Sequence, residues 1–418
     1  MNSDFPRSNL LKTLGPGILF AGAAIGTSHL VQSTRAGATF GLGLFLVIVF
    51  ANLIKYPFYR FGPMYTVATG KSILQGYRSI GRWALFLLIV TELPVNVIIV
   101  AATALVTASI AISVFGLEIS AVHLGSIIIV LALCMISFGG YKFLDRSTKL
   151  FVGTLTVCTL LATALSIPSV DWSLGNFALP EVDVKTLAFI VALIGFMPAG
   201  ATLSIMHSIW AVEKAKVTGH VATKAEAMVD LNIGYIGSTI LALCFLIMGA
   251  GTLYGNQVEL SSNGGVFAGQ VISLYSTALG AWAGIVVGIS VFAVMISTLL
   301  TIYDGFSRLH NDALNQFFAE SDTSIDESKS YTLQLPLMVI IGVLAIAVLQ
   351  LFMTNFKSFI DFVTITAFIT GPVIATLNHL VMHGKNIPPH LRPSAIMSAW
   401  SISCVLFLVG LSAVYLLN

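Results

Sequence analysis

The chain has 418 residues, of which 57% are hydrophobic and only 9% are Asp, Glu, Lys or Arg. Soluble domains carry roughly 25% charged residues, so a water-soluble fold is excluded and an all-α integral membrane protein is expected. The net charge of +2, with no arginine-rich block, argues against a nucleic-acid partner and leaves the lipid bilayer and a small-molecule or ion substrate.

Residues 1–13 are polar and mixed, with no cleavable signal pattern. A bilayer crossing takes about 20 mostly apolar residues. Eleven such stretches follow, at 14–34, 38–59, 84–111, 121–141, 148–168, 186–211, 230–254, 270–302, 334–354, 358–382 and 394–416. With the N-terminus inside, 17 of the 20 basic residues fall on cytoplasmic segments, Lys55 among them, and only Arg35, Lys185 and Lys357 fall outside. That bias predicts a cytoplasmic N-terminus and an outer C-terminus, in the plasma (inner) membrane if the cell is bacterial. The longest polar stretch, 304–333, contains the acidic and hydroxylic run from Glu320 to Ser328 and reads as a cytoplasmic connecting loop.

Two spans carry breaking signals. Span 1 clusters small and hydroxyl residues around Gly22, Gly26, Thr27, Ser28 and His29. Span 6 contains Gly195, Met197, Pro198, Ala199, Gly200, Ala201 and Thr202, where proline removes a backbone donor and the glycines loosen the helix. Small residues also serve close helix packing, but two breaks five spans apart are what a five-plus-five inverted repeat produces. The chain then reads as one transmembrane domain over 1–418, with halves at 14–168 and 186–382 and an additional helix at 394–416. Interrupted helices expose carbonyls and dipole ends that hold an ion or a charged group.

Ionisable residues inside spans mark function by default. His29 is the most central, and its imidazole can bind a substrate or carry a proton. His207, after the break in span 6, and Glu92 in span 3, near Pro94 and Asn96, are further proton-coupling candidates. Asp230 opens span 7 and Asp361 opens span 10, positions that predict helix capping. Cys134, Cys158, Cys244 and Cys404 stand singly in apolar runs and read as small buried hydrophobes. No P-loop, G-x-S-x-G or H-E-x-x-H pattern occurs, so an enzyme is not expected.

The stretch Gly15-Pro-Gly-Ile-Leu-Phe-Ala, the run from Arg35 through Gly41, the Ala51-Asn52-Leu triplet, and Met197-Pro198 followed by His207-Ser208 resemble Nramp-type divalent-metal transporters. The resemblance implies a leucine-transporter-type fold with helices 1 and 6 broken, and proton-linked metal import. It also marks departures. Where the family has Asp-Pro-Gly-Asn, this chain has Gly26-Thr27-Ser28-His29, so the metal-binding Asp is replaced by Gly26 and the Asn by His29. Where the family has Met-Pro-His, this chain has Met197-Pro198-Ala199, with Met197 matching the family's thioether and Met206 a rival. The family's polar residue of span 10 falls on Thr364, and its acidic pair in span 3 has no clear match.

Without Asp at 26 the site carries no fixed negative charge, which disfavours hard divalent ions. Three functions stay open. A secondary transporter can move a metal cation with altered selectivity, coupled to protons, with His29 and Met197 as ligands for a softer ion. The same fold can move a small organic substrate such as an amino acid, or the scaffold can serve as a non-transporting receptor. The substrate site is expected at residues 26–29 and 197–202 with Thr364, and no permanent cofactor is expected.

Overall fold

The computed structural model describes residues 13–138, 141–254, 260–319, 333–352 and 355–417. Among these, fifteen α-helices form and no strand. Seven helices are long and apolar enough to cross a bilayer alone, including α5 (Arg82–Phe115), α10 (Lys224–Gly249) and α12 (Ala281–Phe318). The all-α membrane fold with spans 1 and 6 broken is the observed architecture.

Span 1 is assembled from α1 (Pro16–Ala24), a widely wound segment at Ile25–Ser33, and α2 (Thr34–Phe40). Pro16 occupies the first turn, where its missing N–H costs nothing. Within the wound segment Gly26 leaves the helical range, with φ −69° and ψ −128°. Span 2 is α3 (Phe45–Thr69), followed by the short α4 (Ile73–Ile80). After α5 come α6 (Ala121–Ser137) and α7 (Tyr141–Ser166). Span 6 is split into α8 (Val184–Gly195) and α9 (Leu203–Thr218), with residues 196–202 non-helical between them. Beyond α10 lie α11 (Gly264–Leu279), α12, α13 (Gln334–Phe352), α14 (Phe356–Met382) and α15 (Ala395–Leu417).

Burial orders these helices. The most apolar window of α5 is 83% buried, whereas that of α15 is 22% buried. An apolar helix that is hidden is central; one that stays exposed faces lipid. Span 1 is held to α10 almost backbone to backbone. A Cβ at Gly17 would lie 1.9 Å from the Asp230 carbonyl oxygen, and one at Gly234 would lie 2.1 Å from that of Gly17. Only glycine permits this approach, which compensates for the hydrophobic drive that lipid does not provide.

Several expectations are corrected. The stretch 270–302 is not one span. Gly280, at φ 96°, separates α11 from α12, and α12 runs on to Phe318, so the front of the expected 304–333 loop is helical. The run from Glu320 to Ser328 lies outside the described residues. Asn355, not Asp361, caps α14, and Thr223 with Glu226 forms the capping box of α10 in place of Asp230. Asp230 instead caps the neighbouring helix, accepting from the backbone N–H groups of Gly15 (3.0 Å) and Gly17 (2.7 Å) at the start of span 1. Lys55, counted as a loop residue, is buried mid-helix in α3, and Arg35 is buried in an ion pair.

Candidate functional site

The two interruptions meet across a cavity of about 30 Å³. Its walls come from span 1 (Ala23, Ser28), α5 (Ile99, Thr103), the break of span 6 (Phe196, Ala199, Gly200, Thr202, Leu203) and α12 (Thr298, Ile302, Phe306). Four hydroxyls punctuate an otherwise apolar lining, each tied back by a hydrogen bond. Ser28 donates to the Ala24 carbonyl at 2.5 Å, and Thr103 to that of Ile99 at 2.8 Å. Thr298 donates to the Gly22 carbonyl at 2.8 Å, fixing α12 against span 1. Thr202 donates to Glu92 Oε2 at 2.5 Å and lies 3.2 Å from Asn96 Oδ1. Gly26 sits at the same junction, where a Cβ would meet Thr298 Cγ2 at 3.0 Å.

Glu92 is therefore one residue removed from the cavity, through Thr202. Behind it, Asn96 Nδ2 contacts His310 Nε2 at 3.1 Å. Glu92 Oε1 and His310 Nδ1 are buried without a hydrogen-bond partner, which marks this cluster as a place where a proton or a polar ligand has unused contacts.

His29 and Met197 do not line the cavity. His29 is fully buried, with Nε2 2.9 Å from the Ser238 carbonyl and Nδ1 2.6 Å from Ser28 Oγ. Met197 is also fully buried, and Ser33 Oγ approaches its sulfur at 3.9 Å. Among the described residues no three His, Cys, Asp or Glu side chains converge as a metal cluster. The carbonyls of Ala199 and Gly200 both accept from the Tyr59 hydroxyl of α3. Pro198 is buried beside them after a cis Met197–Pro198 bond, and Ala201 faces a second, smaller cavity.

Thr364 belongs to a separate cluster on the α2 side of the break. Gln32 Nε2 donates to Thr364 Oγ1 (3.1 Å) and to Asp361 Oδ1 (3.0 Å). Arg35 grips Asp361 with two bonds of 2.7 and 3.0 Å and lies 5.0 Å over the Phe189 ring of α8. Bidentate pairs of this kind are the strong ones, and this one ties spans 1, 6 and 10 together. On the α1 side, Phe20 packs against Tyr59 and Tyr235 with ring centroids 5.4 and 6.0 Å apart. The His207 ring lies edge-on to Phe20 at 6.4 Å, its Nε2 3.4 Å from Asp230 Oδ2 and neither nitrogen hydrogen-bonded. Packed groups thus flank the cavity on both sides.

The description "Natural resistance-associated macrophage protein-like" (Nramp) matches residues 17–418. The chain belongs to the Nramp-like family. That family is one of metal-ion transporters and not of enzymes, and the chain is a multi-pass membrane transporter of that class. An uncharacterized protein of Pasteurella multocida is 33% identical over 386 residues, covering 89% of this chain and 86% of its own length. Among solved structures, a manganese transporter of Eremococcus coleocola superposes with a TM-score of 0.70 at 14% identity, covering 99% of this chain and 88% of its own. MhsT in complex with L-phenylalanine superposes with a TM-score of 0.61 at 14% identity, covering 96% of this chain and 97% of its own. These likenesses fix the leucine-transporter-type fold.

Sequence reasoning did not single out Lys55, Gln32, Thr298 and His310. Lys55 stands inside the run Phe-Ala-Asn-Leu-Ile-Lys-Tyr-Pro-Phe, and a charge in such a run was the available signal. His310 was hidden by reading Asp304 onward as a loop, and nothing local marks Gln32 or Thr298.

Proposed function

We propose that this chain is a secondary active transporter carrying a metal cation through the cavity between the two breaks, coupled to protons, with selectivity changed relative to its family. The observation that carries this reading is the junction itself. Ser28, Thr202 and Thr298 bring hydroxyls to one space between the breaks, Ala199 and Gly200 line it with them, and Gly26 abuts Thr298 beside it. That space lacks a carboxylate wall, and Glu92 reaches it only through Thr202. A hard divalent ion would meet oxygen dipoles without a full negative charge, so binding is expected to be weaker than in a site with Asp at 26. Glu92 and His207, each with buried atoms lacking partners, are the proton carriers of this reading, ahead of the doubly bonded His29.

Residues 14–168 and 186–382 form the two inverted halves in this account, with 394–416 appended. The N-terminus is cytoplasmic and the C-terminus outside. Taking Lys55 and Arg35 out of the loop count leaves the positive-inside bias intact. Alternating access then requires the Arg35–Asp361 pair and the Phe20–Tyr59–Tyr235 cluster to open in turn.

The test is uptake of Mn²⁺, Zn²⁺ and Mg²⁺ into proteoliposomes with and without an imposed pH gradient. Metal uptake stimulated by the gradient supports the reading, and no metal flux with any ion overturns it. A second reading, a small organic substrate, is favoured by the neutral lining of the cavity; flux of an amino acid with no metal flux would select it.

A further inference from the structure

Lys55 sits halfway along α3 and is 3% exposed. Its Nζ donates to the Ile194 carbonyl at 2.5 Å and approaches the Gly195 carbonyl at 3.5 Å. These are the last two residues of α8, the half-helix that stops in mid-span. The Ile194 oxygen also accepts from the N–H groups of Phe196 and, at 3.2 Å, Met197, so the ammonium adds a further donor to a carbonyl at the helix end. The end of a helix presents carbonyls without intrahelical partners and a partial negative charge, both of which attract a cation. Among the described residues no carboxylate pairs with Lys55. Around it stand Tyr59 of its own helix, Cys404 of α15, Phe368 of α14 and Leu408 of α15, and a cavity of about 10 Å³, room for a single water.

A charge in the middle of a bilayer is costly and is retained where it has work to do. Here its partners are backbone oxygens, the ligand type that otherwise coordinates small mobile cations. The ammonium lies on the α3 side of the break, reaching the same 195–202 segment whose other face lines the 30 Å³ cavity. We propose that Lys55 is a tethered cation filling a monovalent-cation site at the broken end of span 6, so that this transporter carries in its own chain the charge that a mobile Na⁺ would otherwise supply. The site holds α8 in its interrupted form without any ion from solution. Removing the side chain leaves carbonyls of Ile194 and Gly195 facing an emptied space that Na⁺ or a small alkylammonium can enter.

The test uses the full chain, purified and in proteoliposomes, with Lys55→Ala, Lys55→Gln and Lys55→Arg. Melting temperature and Mn²⁺ uptake are measured in chlorides of Na⁺, methylammonium and N-methylglucamine at equal ionic strength. The wild type is expected to be indifferent to the cation. Lys55→Ala is expected to melt lower and to be restored by Na⁺ or methylammonium, with melting rising across about a hundredfold range of concentration. N-methylglucamine, too large for the space, is expected to restore nothing. Lys55→Arg keeps the charge and should retain more stability than the neutral donor Lys55→Gln. Three results would overturn the proposal: Lys55→Gln equal to wild type, Lys55→Ala blind to cation identity, or a wild type that depends on Na⁺. If Lys55→Ala does not fold, the ordering of the Arg and Gln variants decides. The melting arm does not depend on the substrate. A wild type that carries no Mn²⁺ would count against the metal-substrate reading alone.

Discussion

The interruption in span 1 and the interruption in span 6 satisfy their free backbone groups by different means. In span 1 the wound segment is closed largely from within: Ser28 returns to the Ala24 carbonyl, and His29 contacts Ser28 and the Ser238 carbonyl of α10. In span 6 the donors come from another helix: the Lys55 amine serves Ile194 and Gly195, and Tyr59 serves Ala199 and Gly200. The segment around Met197 and Pro198 contributes no side-chain donor to those carbonyls, so α3 supplies them. Span 1 thus contributes most of its own support, whereas span 6 keeps its break only while span 2 stays alongside. This makes the α3–span 6 contact the joint that keeps the second break open.

The largest effect should come from the close crossing that positions span 1. Gly234→Ala puts a Cβ 2.1 Å from the Gly17 oxygen and must push span 1 off α10. We expect a loss of about 3 kcal/mol or failure to insert, read as loss of the monodisperse peak in size-exclusion chromatography. A normally folded variant would mean that span 1 is held by its other contacts.

Tyr59→Phe should come next. It strands the carbonyls of Ala199 and Gly200 and is expected to cost about 1–3 kcal/mol in thermal unfolding. Ser28→Ala, the matching change in span 1, should cost about 1 kcal/mol, because it frees only the contacts to Ala24 and His29. Equal losses would erase the distinction between the two breaks.

His29→Asn should lower stability while changing metal affinity by less than about threefold, because the ring bonds α10 and not the cavity. Titration of metal binding by calorimetry checks this, and a tenfold loss would place His29 at the ligand. Conversely, Gly26→Asp combined with Thr298→Ser should raise Mn²⁺ affinity by about tenfold. The second change relieves the 3.0 Å contact that the first creates with Thr298 Cγ2.

The smallest effect lies outside the membrane, at the start of α8. Asp183 caps that half-helix, and the N–H of Thr186 holds its carboxyl below the ordinary value of 3.8. Its contribution is present above pH 3.8 and fades as the pH falls further, so Asp183→Asn should melt slightly lower than the wild type above pH 3.8 and converge with it in acid.

Much of this was legible in the chain. Long apolar runs with few charges read directly as helices, and the Gly26 and Pro198 neighbourhoods located both breaks. What the sequence could not show was direction. His29 and Thr364 lie at the expected depth, but their bonds point to α10 and to Gln32. Capping was misplaced for a similar reason: Asp230 serves the N-terminus of span 1, a partner 215 positions away from it in sequence at Gly15. Lys55 was misread because a lone lysine near the end of an apolar run resembles a loop boundary, and only packing against α8 reveals a buried ammonium.

The most direct test of the central claim, that the cargo is a metal cation lodged between the two breaks, is metal uptake by Gly200→Leu. Gly200 lines the cavity, and its nearest neighbour to an added Cβ is Ile99 Cδ1 at 3.9 Å, so a side chain starts there without a clash and its further atoms extend into the space. The account predicts Mn²⁺ or Zn²⁺ uptake in the wild type and its loss in Gly200→Leu at unchanged melting temperature. Undiminished metal uptake by a well-folded Gly200→Leu would contradict it.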